Sequence, residues 1–166
     1  MIRILACLIA AIPVVAWSAD NPDKDFFKHA AEGGIAEVEA GKLAESKGSS
    51  QTVKDFGAMM VKDHAAANTK LQGIAATKAI DLPSTSSVKQ MAGKAKLEVL
   101  TGDTFDKSYI KGQIAAHQQT AALFKREIAS GQDVEAKAFA KETLPTVQAH
   151  LKKIKGIAAE AGVTAK

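Results

Sequence analysis

Cysteine and aromatic residues are scarce in this sequence of 166 residues, which contains one cysteine, one tryptophan and one tyrosine. Cys7 and Trp17 both fall within the first nineteen residues, so the rest of the chain has no cysteine. Such a chain can neither mispair its thiols nor require their reduction, which suits an oxidising compartment. With aromatic residues at only 5%, the stacking surfaces used by single-strand nucleic-acid binders are also missing.

The sequence also lacks a block of charge of one sign. Lysine and arginine number 22 against 18 aspartate and glutamate, for a net charge of +4 at pH 7, and the two signs are interleaved along the chain. Nucleic-acid binding requires a clustered basic face. We therefore interpret the charges as solvated helix faces and expect no nucleic-acid partner.

A long apolar run occurs only at the N-terminus, in MIRILACLIAAIPVVAWSAD. An early arginine, about a dozen apolar residues and small residues before a polar continuation predict a secretory signal peptide, too short to span a membrane. Cleavage after Ser18 and cleavage after Ala19 both remain open. Too little apolar sequence precedes Cys7 for a lipid anchor. We assign residues 1–19 to the signal peptide and 20–166 to a single periplasmic domain without a transmembrane segment.

The remaining chain is rich in Ala, Lys, Glu and Gln, and its apolar residues recur at spacings of three and four. This pattern predicts an all-α protein. The predicted helices cover about 23–47, 50–79, 86–100, 104–129 and 133–161. Short joints make neighbouring long helices antiparallel, so we expect an antiparallel four-helix bundle with a short extra helix in the crossover between the second and third long helices.

Three of the four histidines lie on the inward apolar stripes of these helices. His64, His117 and His150 each stand within about one turn of the midpoint of a long helix. Midpoints share one level in an antiparallel bundle, so the three imidazoles should meet in the middle of the core. On the first helix, Glu39 borders the apolar face at this level, whereas Glu37 is expected to point away from it.

Three imidazoles and a carboxylate are good ligands for a transition metal, while an apolar core needs none of them. We therefore predict one Zn, Cu, Fe or Mn ion at His64, His117, His150 and Glu39. A buried His–Glu hydrogen-bond network without metal is the alternative. The fourth histidine, His29, lies off the apolar stripe of the first helix and should face solvent.

Two neighbours of His64 leave alternatives open. Met60, one turn earlier, is either a soft ligand for copper or a filler of core space. Asp63 is displaced by about 100° around the helix, and it is either a support for the site or a surface charge.

Four stretches of the chain carry a family resemblance: AAEGGIAEVEAGKLA, VKDFGAMMVKDHAAANTKL, FDKSYIKGQIAAHQQTAALF and FAKETLPTVQAHL. Together they resemble the ferritin-like domain-of-unknown-function family 4142 of secreted bacterial proteins, sometimes labelled outer membrane proteins. The resemblance runs over residues 24–161. It implies a ferritin-like four-helix bundle in the cell envelope, and it brings no established activity.

Ferritin-like di-iron sites use Glu-x-x-His motifs, which this sequence lacks. Val61, Ile114 and Val147 stand three residues before the inward histidines, so we expect a mononuclear site and no di-iron centre. We hypothesise a periplasmic protein in metal handling or envelope stress protection. The alternative is a metal-free structural or interaction protein of the envelope. Enzymatic activity, the oligomeric state and any protein partner remain open.

Overall fold

The computed structural model describes residues 22–164, and the predicted signal peptide, residues 1–19, lies outside the described residues. Within residues 22–164 the chain forms five helices and no strand. They are α1 (Pro22–Lys47), α2 (Gln51–Thr77), α3 (Val88–Glu98), α4 (Gly102–Ser130) and α5 (Val134–Glu160). The all-helical prediction is confirmed, and the predicted ranges differ from these helices by at most two residues at either end. None of these described helices is long and apolar enough to cross a membrane.

Short polar side chains fix where three of the helices begin, because they accept hydrogen bonds from N–H groups that the first turn leaves unpaired. The hydroxyl of Ser50 accepts from the backbone N–H of Val53 at 3.2 Å, at the start of α2. Ser87 and Gln90 form a reciprocal capping box at the start of α3. Asp133 accepts from two backbone N–H groups in the first turn of α5, at 3.0 and 2.9 Å.

Contacts at the helix ends set the direction of α4 against α1. Asp106, near the start of α4, accepts hydrogen bonds of 2.8 Å from the backbone N–H groups of Ser49 and Ser50, which follow α1. The backbone N–H of Gln132, which follows α4, donates at 2.8 Å to Asp23 near the start of α1. The two helices are therefore antiparallel. Between α2 and α4 the chain must return along the helices, and α3 lies in this return, packed on α1 and α4.

The most extensive helix contacts join α1 to α2 and α4 to α5, while α1 also packs on α4 and α2 on α5. Two glycines allow the closest approach of α1 and α2. A Cβ atom on Gly41 would lie 2.7 Å from the carbonyl oxygen of Gly57, and one on Gly57 would lie 2.7 Å from that of Gly41. No side chain fits at either position, so the two backbones touch here. This contact sets which face of α1 turns inward.

Two apolar clusters fill the interior, and the inward histidines lie between them. The first cluster contains Phe56 and Tyr109, and the second contains Phe26, whose ring lies edge-on to that of Phe124 with centroids 5.3 Å apart. On each of three helices, a residue of the first cluster and one of the second flank the histidine. These pairs are Met60 and Leu71 on α2, Ile114 and Phe124 on α4, and Ile154 and Ala140 on α5.

Candidate metal centre

One histidine from each of α2, α4 and α5 reaches the interior between the two apolar clusters. His64, His117 and His150 are 8%, 1% and 3% exposed. The ring centroids lie 5.6 Å apart for His64 and His117 and 5.5 Å apart for the other two pairs. One nitrogen from each ring lies within 4.8 Å of the other two. The predicted meeting of the three histidines is confirmed.

The Nδ1 atom of His117 contacts residues of α4 and α1. This nitrogen lies 2.9 Å from the carbonyl oxygen of Gln113, which can only accept, so Nδ1 carries the proton. A carboxylate oxygen of Glu37 lies 3.9 Å from the same nitrogen, and Glu37 also accepts a hydrogen bond of 2.7 Å from the Gln113 amide. The Nε2 atom of His117 is buried and has no hydrogen-bond partner among residues 22–164. In the neutral form of the ring, this Nε2 carries the lone pair.

His150 is held by a carboxylate on the neighbouring helix α2. Its Nε2 lies 2.9 Å from an oxygen of Asp63, and the carboxylate accepts a hydrogen bond from the Nε2–H group. The Nδ1 atom is buried without a hydrogen-bond partner in the described part of the chain. Of the two roles left open for Asp63, the structure shows the contact with a histidine, although the side chain is still 32% exposed.

His64 is the third member, and its buried Nε2 also lacks a hydrogen-bond partner among the described residues. Burial, reinforced by the positive charges that His117 and His150 can carry, lowers the pKa of His64 to about 3. Burial also lowers the pKa of His150, against the opposing effect of Asp63. Both rings are therefore neutral near pH 7, and a neutral imidazole is the form that ligates a metal.

The carboxylate beside the histidines is Glu37 and not Glu39. Glu37 is 5% exposed, and burial raises its pKa although the nearby histidine and glutamine oppose the shift. Glu39 is only half-buried and accepts a hydrogen bond of 3.2 Å from the hydroxyl of Ser86, before α3. The expectation that Glu37 points away from the interior is wrong. The backbone contact between Gly41 and Gly57 turns this side of α1 inward, and Glu39 then faces the returning chain.

Two further residues considered in the sequence analysis are Met60 and His29. Met60 is fully buried and packs with Phe56 in the first apolar cluster, which favours its role as a filler of core space. His29 has a side chain that is 52% exposed, and its Nδ1 lies 3.1 Å from Glu32. The expectation that His29 faces solvent is confirmed.

Imidazole ligands suit Zn, Cu or Fe. A tetrahedral zinc ion with bonds of about 2.1 Å requires nitrogens roughly 3.4 Å apart. The three nitrogens, which lie within 4.8 Å of one another, reach this spacing if the rings turn inward by roughly 1 Å. Three histidine ligands also leave the fourth position of such an ion open.

The fold and this site define an all-helical protein with a buried cluster of three histidines. The chain belongs to the family described as a domain of unknown function (DUF4142), whose model matches residues 14–157. No curated protein matches the sequence.

Solved structures that share the fold include two DUF305 proteins. One is from Streptomyces coelicolor and is named as a secreted protein; it is 17% identical to this chain and has a TM-score of 0.75. The alignment covers 90% of this chain and 99% of the Streptomyces chain. The other, a fragment from Deinococcus radiodurans, is 12% identical with a TM-score of 0.74, covering 84% of this chain and 96% of its own. At this level of identity the likeness concerns the fold alone.

Proposed function

We propose that the protein is a ferritin-like antiparallel four-helix bundle of the periplasm that binds one transition metal ion through His64, His117 and His150. The directions of the long helices and the return through α3 support the bundle. The apolar N-terminus and a structural neighbour named as a secreted protein support export. The bound ion serves metal handling or envelope stress protection.

The observation that carries the metal proposal is the set of three buried ring nitrogens without hydrogen-bond partners among the described residues. A buried polar atom that lacks a partner costs about 1–3 kcal/mol. In the neutral rings, Nε2 of His117 and Nδ1 of His150 carry the lone pairs, because the opposite ring nitrogens donate to Gln113 and Asp63. One cation between the rings satisfies all three atoms at once.

The positions of Asp63 and Glu37 also support the proposal. Each carboxylate lies near the ring nitrogen opposite the one proposed to bind the metal. Histidine ligands of metals usually donate their second N–H to a carboxylate or a backbone carbonyl, which fixes the ring orientation and raises the basicity of the ligating nitrogen. His150 has the carboxylate of Asp63 in this place, and His117 has the carbonyl of Gln113 with Glu37 close by. Glu39 takes no part in the proposed site.

A metal-free envelope protein is the second candidate, and the same outer contacts favour it. Glu37 accepts a hydrogen bond from Gln113, Asp63 accepts one from His150, and neither hydrogen bond depends on a metal. A bridging water that donates to His117 and His150 and accepts from His64 can complete this network. The cluster is then structural, and the protein acts by binding a partner at its surface.

Elemental analysis of the protein purified from its native compartment separates the two functions. We expect one metal ion per chain in the wild type and none in the His117→Ala variant. The His29→Ala variant is the matched control, because His29 is exposed and outside the cluster, and it should keep the metal. Circular dichroism establishes that both variants remain helical.

Metal-free wild-type protein that also fails to bind added Zn, Cu, Fe or Mn contradicts the metal proposal. In that case the polar network is the function to pursue. Full metal content in the His117→Ala variant likewise contradicts the proposed site, because the substitution removes one of the three proposed ligands.

A further inference from the structure

The three ring nitrogens proposed to bind the metal are sealed inside the bundle. Nε2 of His64, Nε2 of His117 and Nδ1 of His150 have essentially no accessible surface. Along the bundle axis the two apolar clusters cover them, and Met60 and Leu71, which flank His64 on α2, are themselves fully buried. A metal ion therefore reaches the nitrogens only when neighbouring helices move apart.

The four seams, where neighbouring long helices meet, are not equally firm. The α1–α2 seam contains the backbone contact of Gly41 with Gly57, and α4 and α5 share one of the two most extensive helix contacts. The α1–α4 seam lies under α3 and contains the buried hydrogen bond between Gln113 and Glu37. The contact between α2 and α5 is the least extensive of the four. The α2–α5 seam should therefore open at the lowest free-energy cost.

The α2–α5 seam also connects the histidine cluster with solvent. Asp63, whose side chain is 32% exposed, lies 2.9 Å from Nε2 of His150, whose side chain is only 4% exposed. A second polar contact crosses the same seam, the ion pair between Lys70 and Glu142. Lys70 stands seven residues after Asp63, and Glu142 stands eight residues before His150. The two contacts are therefore about two helical turns apart along one face.

We propose that the metal ion enters and leaves between α2 and α5, and that the ion pair of Lys70 with Glu142 is the latch of this gate. The inference rests on the proposed metal function. The two side chains are 47% and 68% exposed, so water competes for the pair and it breaks readily. Neither residue belongs to the histidine cluster. The pair stabilises the closed seam whether or not an ion is bound, so it slows metal uptake and release equally and leaves the affinity unchanged.

Zinc release from the zinc-loaded protein into an excess of a chromophoric chelator measures the release rate. We expect Lys70→Gln to release zinc about two- to fivefold faster than the wild type, which is the range that an exposed ion pair supplies. Its dissociation constant for zinc, from competition at equilibrium, should equal that of the wild type, so uptake is faster by the same factor. An ion pair that only adds stability would lower the free energy of unfolding when removed and would leave both rates unchanged.

Two kinds of control belong to this experiment. Lys107→Gln removes a lysine of similar exposure, 49%, that pairs with Asp103 of its own helix α4, and it should release zinc at the wild-type rate. Lys70→Glu places two carboxylates opposite each other across the seam, so it should release zinc faster than Lys70→Gln. Addition of Glu142→Lys reverses the pair and should restore the wild-type rate.

The outcomes separate the latch from the metal site. A wild type that binds none of Zn, Cu, Fe or Mn overturns the proposed metal function and this inference with it. Zinc-loaded Lys70→Gln and Lys70→Glu variants that release zinc at the wild-type rate overturn this inference alone. Faster release with a matching loss of affinity and unchanged uptake also overturns it, because the substitution then acts on the bound ion and not on a gate.

Discussion

Asp63 is the carboxylate whose removal should most directly weaken the proposed metal site. Its oxygen lies 2.9 Å from Nε2 of His150 and holds the proton on that side of the ring. In the Asp63→Ala variant the ring can rotate and can move its proton to Nδ1, which is the nitrogen proposed to ligate the metal. We therefore expect weaker metal binding without loss of any ligand.

The size of the effect follows from the exposure of Asp63. Removal of the partner behind a metal-ligating histidine typically costs about 10–100-fold in affinity. The Asp63 side chain is 32% exposed, so water screens the interaction and the lower limit applies. We expect about a tenfold rise in the dissociation constant, which corresponds to about 1.4 kcal/mol. Asp63→Asn keeps an oxygen acceptor and should lose only about threefold.

Competition for zinc against a chromophoric chelator at neutral pH measures these affinities. Asp55→Ala is the matched control, because Asp55 is an exposed aspartate of the same helix that contacts only Gln51 among the interactions described. Its zinc affinity should equal that of the wild type. Wild-type affinity in Asp63→Ala would refute the reasoning that this carboxylate orients His150 for metal binding.

Three further expectations follow from the structure. Gly57→Ala should lower the free energy of unfolding in urea by about 1–3 kcal/mol, because the new Cβ would lie 2.7 Å from the carbonyl oxygen of Gly41. Gly73→Ala, whose Cβ would meet no described atom within 4 Å, should instead raise it by about 0.5–1 kcal/mol; equal effects would contradict the close helix contact. Burial, with Asp23 and Asp133 nearby, raises the pKa of Glu127 from 4.5 to about 8. The folded state then holds a proton that the unfolded state releases, so stability should fall as pH rises from 4.5 to about 8. Melting temperatures of wild type and Glu127→Gln across this range should diverge towards the alkaline end, and parallel curves would contradict the shift. Zinc at about 100 times its dissociation constant should stabilise the wild type by about 2.7 kcal/mol, and a similar gain in His117→Ala would contradict the site.

The helices and the level of the three histidines could be predicted from the sequence. Helix periodicity places His64, His117 and His150 on inward faces, and the constant rise of about 1.5 Å per residue places each near the middle of its helix. Antiparallel packing then brings helix midpoints together. No knowledge of side-chain contacts was needed, because each step depends on spacing within one helix.

The rotation of α1 could not be predicted in the same way. Hydropathy centres its inner face on residues such as Ile35 and Val38, which places Glu39 at the edge and Glu37 outside. In the structure, the close backbone contact between Gly41 and Gly57 sets the rotation of α1, and hydropathy does not. A usable signal was present, since Glu37 lies three residues after Gly34 and four before Gly41, in helical phase with both glycines.

The sequence by itself therefore determined the helices and the height at which three imidazoles meet, since both depend on local periodicity. Only the tertiary structure decided which carboxylates lie beside the histidine rings and which ring nitrogens are left without hydrogen-bond partners among the described residues. These features join residues far apart in the chain, such as Asp63 with His150 and Glu37 with Gln113. They depend on the rotation and separation of whole helices, which no spacing within a single helix specifies.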